Sequence, residues 1–475
     1  MDVLSLTKSD FLDYRSCAKS LWLRKRKPDA VAWPAPGLFD QLLMQDGYKV
    51  EAVVKEMVAD WPDADACQFQ ADFKSPDGLY ARADMVRSLP DGAVDLFEIK
   101  ASTSLKSSGG QDHVDDAAFQ TLAAERSGIE VRTAHVIHVN KDYVRAGIVV
   151  PDELLTIVDV TSDVRERIGG IASEADEALA LLRQAKIDEA GCSCLRVGKN
   201  SHCASFDYYN PDVPEVSVYL LPRMYGNRLA TFVEEGRLAL ADVGEDELSV
   251  SQRPVWRAAD SGEPVVDRDA IGAFLEDLQW PLHFYDYETF ASAIPISDGI
   301  RPQQPNPVQF SHHLLHEDGR MEHYEFLSDA PGQQRDLVSA LEASFEDVGS
   351  VVTWKKSFEM GCNKRMADYL PDKVGFLENV NERTVDLMDP FKADYVDIRF
   401  GGSTSIKKVL PVLCPHLAYD EDAVHDGGGA MAAWLEYIET PDDAERERLR
   451  RELLAYCKLD SLAMVEIYKA LKAFV

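Results

Sequence analysis

"PLHFYDYETF", residues 281–290, sets two carboxylates, Asp286 and Glu288, two apart in an otherwise apolar, strand-forming run. A strand alternates its side chains, so both project from one face, where like charges repel unless a cation or a proton lies between them. Burial beside Phe284, Tyr285 and Tyr287 raises that cost. Standing alone, the pair would read equally well as a solvated strand end, so its meaning depends on what surrounds it.

Downstream, the hydrophobic pattern predicts strands at 282–290, 307–315 ("PVQFSHHLL") and 321–328, a helix at 332–346, a strand at 349–354 and a helix starting near 357. Three strands in a meander followed by alternating helix and strand make a mixed sheet covered by helices. Near the C-terminal end, "LLAYCKLDSLAMVEIYKALKAF" is apolar at helical spacing. Tyr456 and Asp460, four residues apart, share one face of that helix.

The first half carries a second acidic pattern. "YARADMVRSLPDGAVDLFEIKAS", residues 80–102, reads as two strands around a turn at Pro90-Asp91-Gly92. Folding about Asp91 pairs residues whose numbers sum to 182, which sets Asp84 opposite Glu98 and puts Lys100 on the face of Glu98. Acid facing acid implies a metal or a displaced pKa, with a lysine at hand to steady a phosphate. Helix 37–58, strands 67–74, 79–88 and 93–101, helix 113–127 and strand 132–140 supply the frame.

The whole chain bounds these readings. Its 475 residues, 45% hydrophobic and 28% charged, suit two or three α/β domains. The expected division is 1–204, a connecting stretch 205–275, and 276–475. No apolar run is long enough to cross a membrane, and "MDVLSLTKSDF" lacks a secretory pattern, so a cytoplasmic protein is expected. A formal charge of −32 argues against non-specific coating of nucleic acid. Basic patches at 24–27 ("RKRK"), Lys355 with Lys356, and Lys407 with Lys408 can still guide a strand. Among eight cysteines, Cys192, Cys194 and Cys203 cluster, which in a reducing compartment suggests metal before disulfide.

Together with "LTKSDFLDYRSCAKSLWL" and "GSTSIKKVLPVLCP", these motifs resemble a bacterial family that fuses an iron-sulfur RecB-like PD-(D/E)xK nuclease to a ribonuclease H-like DEDD exonuclease of the tyrosine form. The resemblance implies catalytic roles for Asp84, Glu98, Lys100 and Gln120 in the first half, with Glu51 as a further metal ligand. In the second half it implies Asp286, Glu288 and Asp460 as ligands of Mg²⁺ or Mn²⁺, with Tyr456 orienting the attacking water. The fourth carboxylate falls to Glu359, with Lys355 where the family has Asn, and with Asp368 and Asp386 as substitutes. Cys17 would join Cys192, Cys194 and Cys203 around a [4Fe-4S] cluster. Zinc is the alternative, and His202 could replace one thiol. Cys-x-Cys-x(8)-Cys departs from the relatives' common spacing. The implied partner is DNA, with RNA left open, beside a protein such as a helicase or defence component. Two other readings stay open: one working site with one retired, binding site, and a non-catalytic adaptor with a structural metal cluster.

Overall fold

The computed structural model describes residues 5–107, 112–417, 424 and 426–475. It is a mixed α/β protein whose chain divides into two compact units. The first comprises Met1–Pro36, Asp40–Val213 and Ser292–Gln303; the second comprises Gly37–Phe39, Pro214–Ala291 and Gln304–Val475.

In the first unit a six-stranded sheet contains β1 (Leu6–Thr7), β2 (Cys67–Lys74), β3 (Leu79–Ser88), β4 (Val94–Lys100), β5 (Val131–Val139) and β6 (Leu155–Asp159), ordered β1-β3-β4-β5-β6 with β2 also on β3. The β3–β4 hairpin pairs Met85 with Phe97 and Val86 with Leu96, the expected register. Gly92, at φ +90°, makes its turn. β4 and β5 run parallel, joined through helix His113–Arg126. Ala117, Ala118, Ala123 and Ala124 are all fully buried on that helix, and such small side chains let it approach neighbours closely. Phe119 stacks on Phe11 with ring centroids 5.1 Å apart. Ser292–Gln303 belongs here because buried Asp46 accepts hydrogen bonds from the Ser292 hydroxyl at 2.9 Å and the Ala293 amide at 2.7 Å.

The second unit holds β7 (Val265–Val266), β8 (Leu282–Phe290), β9 (Asn306–Leu315), β10 (Met321–Leu327), β11 (Val351–Thr353), β12 (Thr384–Asp386) and β13 (Tyr395–Val396). Five of them form a sheet ordered β10-β9-β8-β11-β12. The first three strands are an antiparallel meander, and β11 and β12 run parallel to β8. Both faces are covered. Tyr285 and Tyr287 pack with Leu337 and Met366 on one side, while Phe284 packs with Met464 and Ile467 of helix Asp443–Lys472 on the other. By the two-residue period, Asp286 and Glu288 share the face of Phe284 and look toward that terminal helix. The stretch read as a connector is folded: 205–213 goes with the first unit, and helices Gly226–Glu234, Arg253–Ser261 and Arg268–Glu276 lie in the second, where β7 pairs with β13.

The approach of β11 to β8 is set by Gly349, at φ +93°, where an added Cβ would drive into the Pro281 carbonyl oxygen. Gly349→Ala is therefore expected to destabilise the protein by about 3 kcal/mol, measured by equilibrium chemical denaturation.

Candidate functional site

In the second unit Asp286, Glu288, Tyr456 and Asp460 line one cleft of about 700 Å³, together with Lys355, Lys407 and Asp426. β8 brings the first pair, and one turn of the terminal helix brings Tyr456 and Asp460. Glu288 and Asp460 are buried, at 8% and 9% exposure. Burial, then Asp460, pushes the carboxyls of Asp286 and Glu288 well above the usual range, while Lys407 pulls both the other way. Lys407 Nζ lies 3.2 Å from the Tyr456 hydroxyl.

Glu359, on helix Ser357–Tyr369, is close enough to raise both acids of β8. Its own carboxyl is pushed up to about 8 by burial, and its Oε2 is buried with no hydrogen-bond partner among the described residues. Asp386 accepts from the Lys355 and Met388 amides at 2.8 and 3.1 Å and borders Glu359. Asp368, exposed and nine residues beyond Glu359, falls on the opposite side of the helix.

In the first unit the Asp84 carboxylate accepts the Ile99 amide at 2.8 Å, beside Glu98. Glu98, 1% exposed, is saturated: Oε1 takes Lys8 and Lys100, each at 2.6 Å, and Oε2 takes the Gln120 amide. Lys100 also pairs with Asp116. Burial, then the Glu98 charge, raises Asp84 to about 7. Burial alone would raise Glu98 too, but the two lysines hold it below the usual range. The β2–β3 ladder is interrupted at Gln70, opposite Asp84, where Gln70 takes φ +56°. Gln70 and Lys55 engage the Glu51 carboxylate at 2.8 and 2.7 Å. Glu51 is thus tied to its own helix and β2, and the hydrogen bonds of the Asp84–Glu98 pair do not include it.

Cys17, Cys192, Cys194 and Cys203 converge, their Sγ atoms all within 4.8 Å of one another, and this cage can hold a metal ion. Cys17 sits in the extended break between helices Lys8–Ser16 and Ala18–Arg26. The Asn210 amide donates to Cys192 Sγ at 3.2 Å. Hydrogen bonds from Cys17, then Cys194, lower the Cys192 thiol to about 6. His202 stands outside the cage, stacked on Phe206 with centroids 3.6 Å apart.

Residues 283–405 match a family model described as a domain of unknown function, DUF2779. No curated protein matches the chain. The matched stretch contains Asp286, Glu288 and Glu359 and ends before Tyr456 and Asp460.

Four residues at these sites escaped the sequence reading. Lys8 was hidden in a capping box with Thr7 and Asp10. Asp116 stands one turn before Gln120 and so shares its face, a readable signal. Cys457, next to Tyr456, offers its Sγ within 4.8 Å of Asp286 and Glu288. Asp426 caps the helix opening at Gly427.

These shifts fix the pH dependence of stability without metal. Seven histidines, among them His283 and His323 at about 4, are depressed by burial, and they destabilise the fold progressively as pH falls below the unfolded histidine value. Asp84 and Glu359 are raised, so the folded state holds more protons there than the unfolded one and loses stability as pH rises through about 7 and about 8. In a chelator the thermal midpoint is expected to peak near pH 6.5 and decline above it, and added Mn²⁺ should flatten the decline, as followed by circular dichroism melts.

Proposed function

We propose that the chain is a metal-dependent nuclease with two sites that hydrolyse phosphodiester bonds of DNA, at single strands or ends, in repair, recombination or defence. The observation that carries this reading is the cleft where Asp286, Glu288 and Asp460 meet under Tyr456 and Lys407. Three acids from a strand and a helix do not crowd together for stability, because buried like charges cost several kcal/mol. Their carboxylate oxygens suit hard divalent cations, with the Cys457 thiol standing beside Asp286 and Glu288. Bound there, a pair of such ions supplies an activated water and stabilises the leaving oxygen of a phosphodiester. The protein's own groups do the rest: Lys407 and Lys355 attract the phosphate, and the Tyr456 hydroxyl, steadied by Lys407, orients the water. In the first unit Asp84 and Glu98 offer a second oxygen pair, with Lys100 held on Glu98 and Asp116 to face a phosphate.

The thiolate cage is read as the site of a single tetrahedral ion such as zinc. Zinc–sulfur bonds of 2.3 Å set sulfurs roughly 3.8 Å apart, which suits four Sγ atoms within 4.8 Å of one another. The iron-sulfur cluster of the resembling family fits less well, since a cubane, with its irons at separate corners, spreads its thiolates wider. Elemental analysis of anaerobically purified protein is expected to give about one zinc per chain, with no iron and no broad absorbance near 400 nm. Stoichiometric iron would reverse that assignment.

For the nuclease itself, end-labelled single-stranded, duplex and flapped DNA with Mg²⁺ or Mn²⁺ should be cut. Asp286→Asn and Lys100→Ala should each lower cutting of that site's substrate by about a hundredfold or more, and the double variant should lose both. Loss in one variant alone would leave the other site a binding surface. Absence of cutting on every substrate, with a stable protein complex instead, would favour the adaptor.

A further inference from the structure

We propose that Lys8 is a tethered cation standing in for a divalent ion between Asp84 and Glu98, so that entry of the ion and departure of Lys8 are one event. The proposal rests on the reading of Asp84 and Glu98 as metal ligands.

Lys8 opens a helix capped by Thr7, and Thr7 is the last residue of β1, paired in parallel with β3 opposite Tyr80. The backbone of Lys8 is thereby moored beside the strand that carries Asp84. Its Nζ is 2.6 Å from Glu98 Oε1, and its charge acts on Asp84 as well as on Glu98. A single ammonium thus answers both acids, the task of a bound cation.

The two lysines on Glu98 are not equivalent. Lys100 has a second anchor, Asp116, and keeps it if Glu98 gives up an oxygen. The ion pair of Lys8 is with Glu98 alone among the described residues, and its side chain is 27% exposed. Its four-carbon arm is partly exposed, so the ammonium can swing out and regain water. A divalent ion arriving at Asp84 would meet two ammonium groups around one carboxylate, and repulsion expels the one without a second ion pair. Gln120 meanwhile retains Oε2 and keeps the Glu98 carboxylate oriented. The geometry therefore assigns Lys100 to stay and Lys8 to leave. Two consequences follow: the acidic pair is stable without metal, and metal affinity is held down by the need to displace a lysine.

The test uses the full-length chain carrying Asp286→Asn and Glu288→Gln, so that the other cleft does not contribute, and the probe is manganese alone. Free Mn²⁺ is followed by electron paramagnetic resonance, since manganese prefers oxygen ligands and leaves the thiolate cage aside. Lys8→Met is expected to bind Mn²⁺ about tenfold or more tightly than the parent, while Lys8→Arg, which keeps the charge, should bind no better. In a chelator Lys8→Met should melt below the parent and gain more from added Mn²⁺. Should Lys8→Met prove too unstable to handle, Lys8→Gln serves the same comparison. Equal or weaker Mn²⁺ binding in the neutral variants, with binding still abolished by Asp84→Asn, overturns the role of Lys8 and leaves the metal site standing. No Mn²⁺ bound by the parent or by any Lys8 variant overturns the metal reading, and the proposal with it.

Discussion

Repulsion between buried carboxylates is the constraint around which both units are organised. At 4 Å and an effective dielectric near 20, two such charges oppose each other by about 4 kcal/mol, a large part of a domain's net stability. The units relieve it differently. In the first, the chain supplies the cations: Lys8 and Lys100 close on Glu98, while burial and then the Glu98 charge leave the Asp84 carboxyl raised to about 7. In the second, Lys407 is the cation that lowers both Asp286 and Glu288, and burial with Asp460 outweighs it, so both carboxyls are pushed up. In the first site two lysines close on the acids; in the second one lysine faces three of them.

Each arrangement follows from the periodicity of the element beneath it. β8 turns Tyr285 and Tyr287 into the packing of one layer and Phe284 into the other, which sends Asp286 and Glu288 toward helix Asp443–Lys472. That helix is apolar along the face that covers the sheet, and Tyr456, Cys457 and Asp460 interrupt this face where β8 carries its acids. On β3 and β4 the hairpin turn determines the register, the register brings Asp84 to Glu98, and the following helix, tight against the sheet through its alanines, delivers Asp116 and Gln120 to the same spot.

What was legible in the residues was whatever depends on local period. The hairpin register, the meander and the shared face of Tyr456 and Asp460 emerge from spacing and residue type, whereas Cys17 was joined to the three later cysteines only through the family resemblance. What was not legible depends on long-range packing. Lys8 lies 90 residues before Glu98, and only the parallel pairing of a two-residue strand brings it there. The same holds for Ser292–Gln303, which follows β8 and precedes β9 in sequence yet belongs to the first unit, where Asp46 accepts from the Ser292 hydroxyl and the Ala293 amide. Glu51, expected from its helix position as a further ligand, is engaged by Lys55 of the same helix and by Gln70 of β2, the residue opposite Asp84.

The overall charge of −32 is compatible with a polyanionic substrate once the placement of charges is considered. Lysines at both sites stand within or beside the acids: Lys8 and Lys100 on Glu98, Lys355 and Lys407 along the cleft of Asp286. The repulsion of nucleic acid by an acidic exterior is screened beyond about 10 Å at ordinary ionic strength, while contact inside a cleft is decided by the nearest charges.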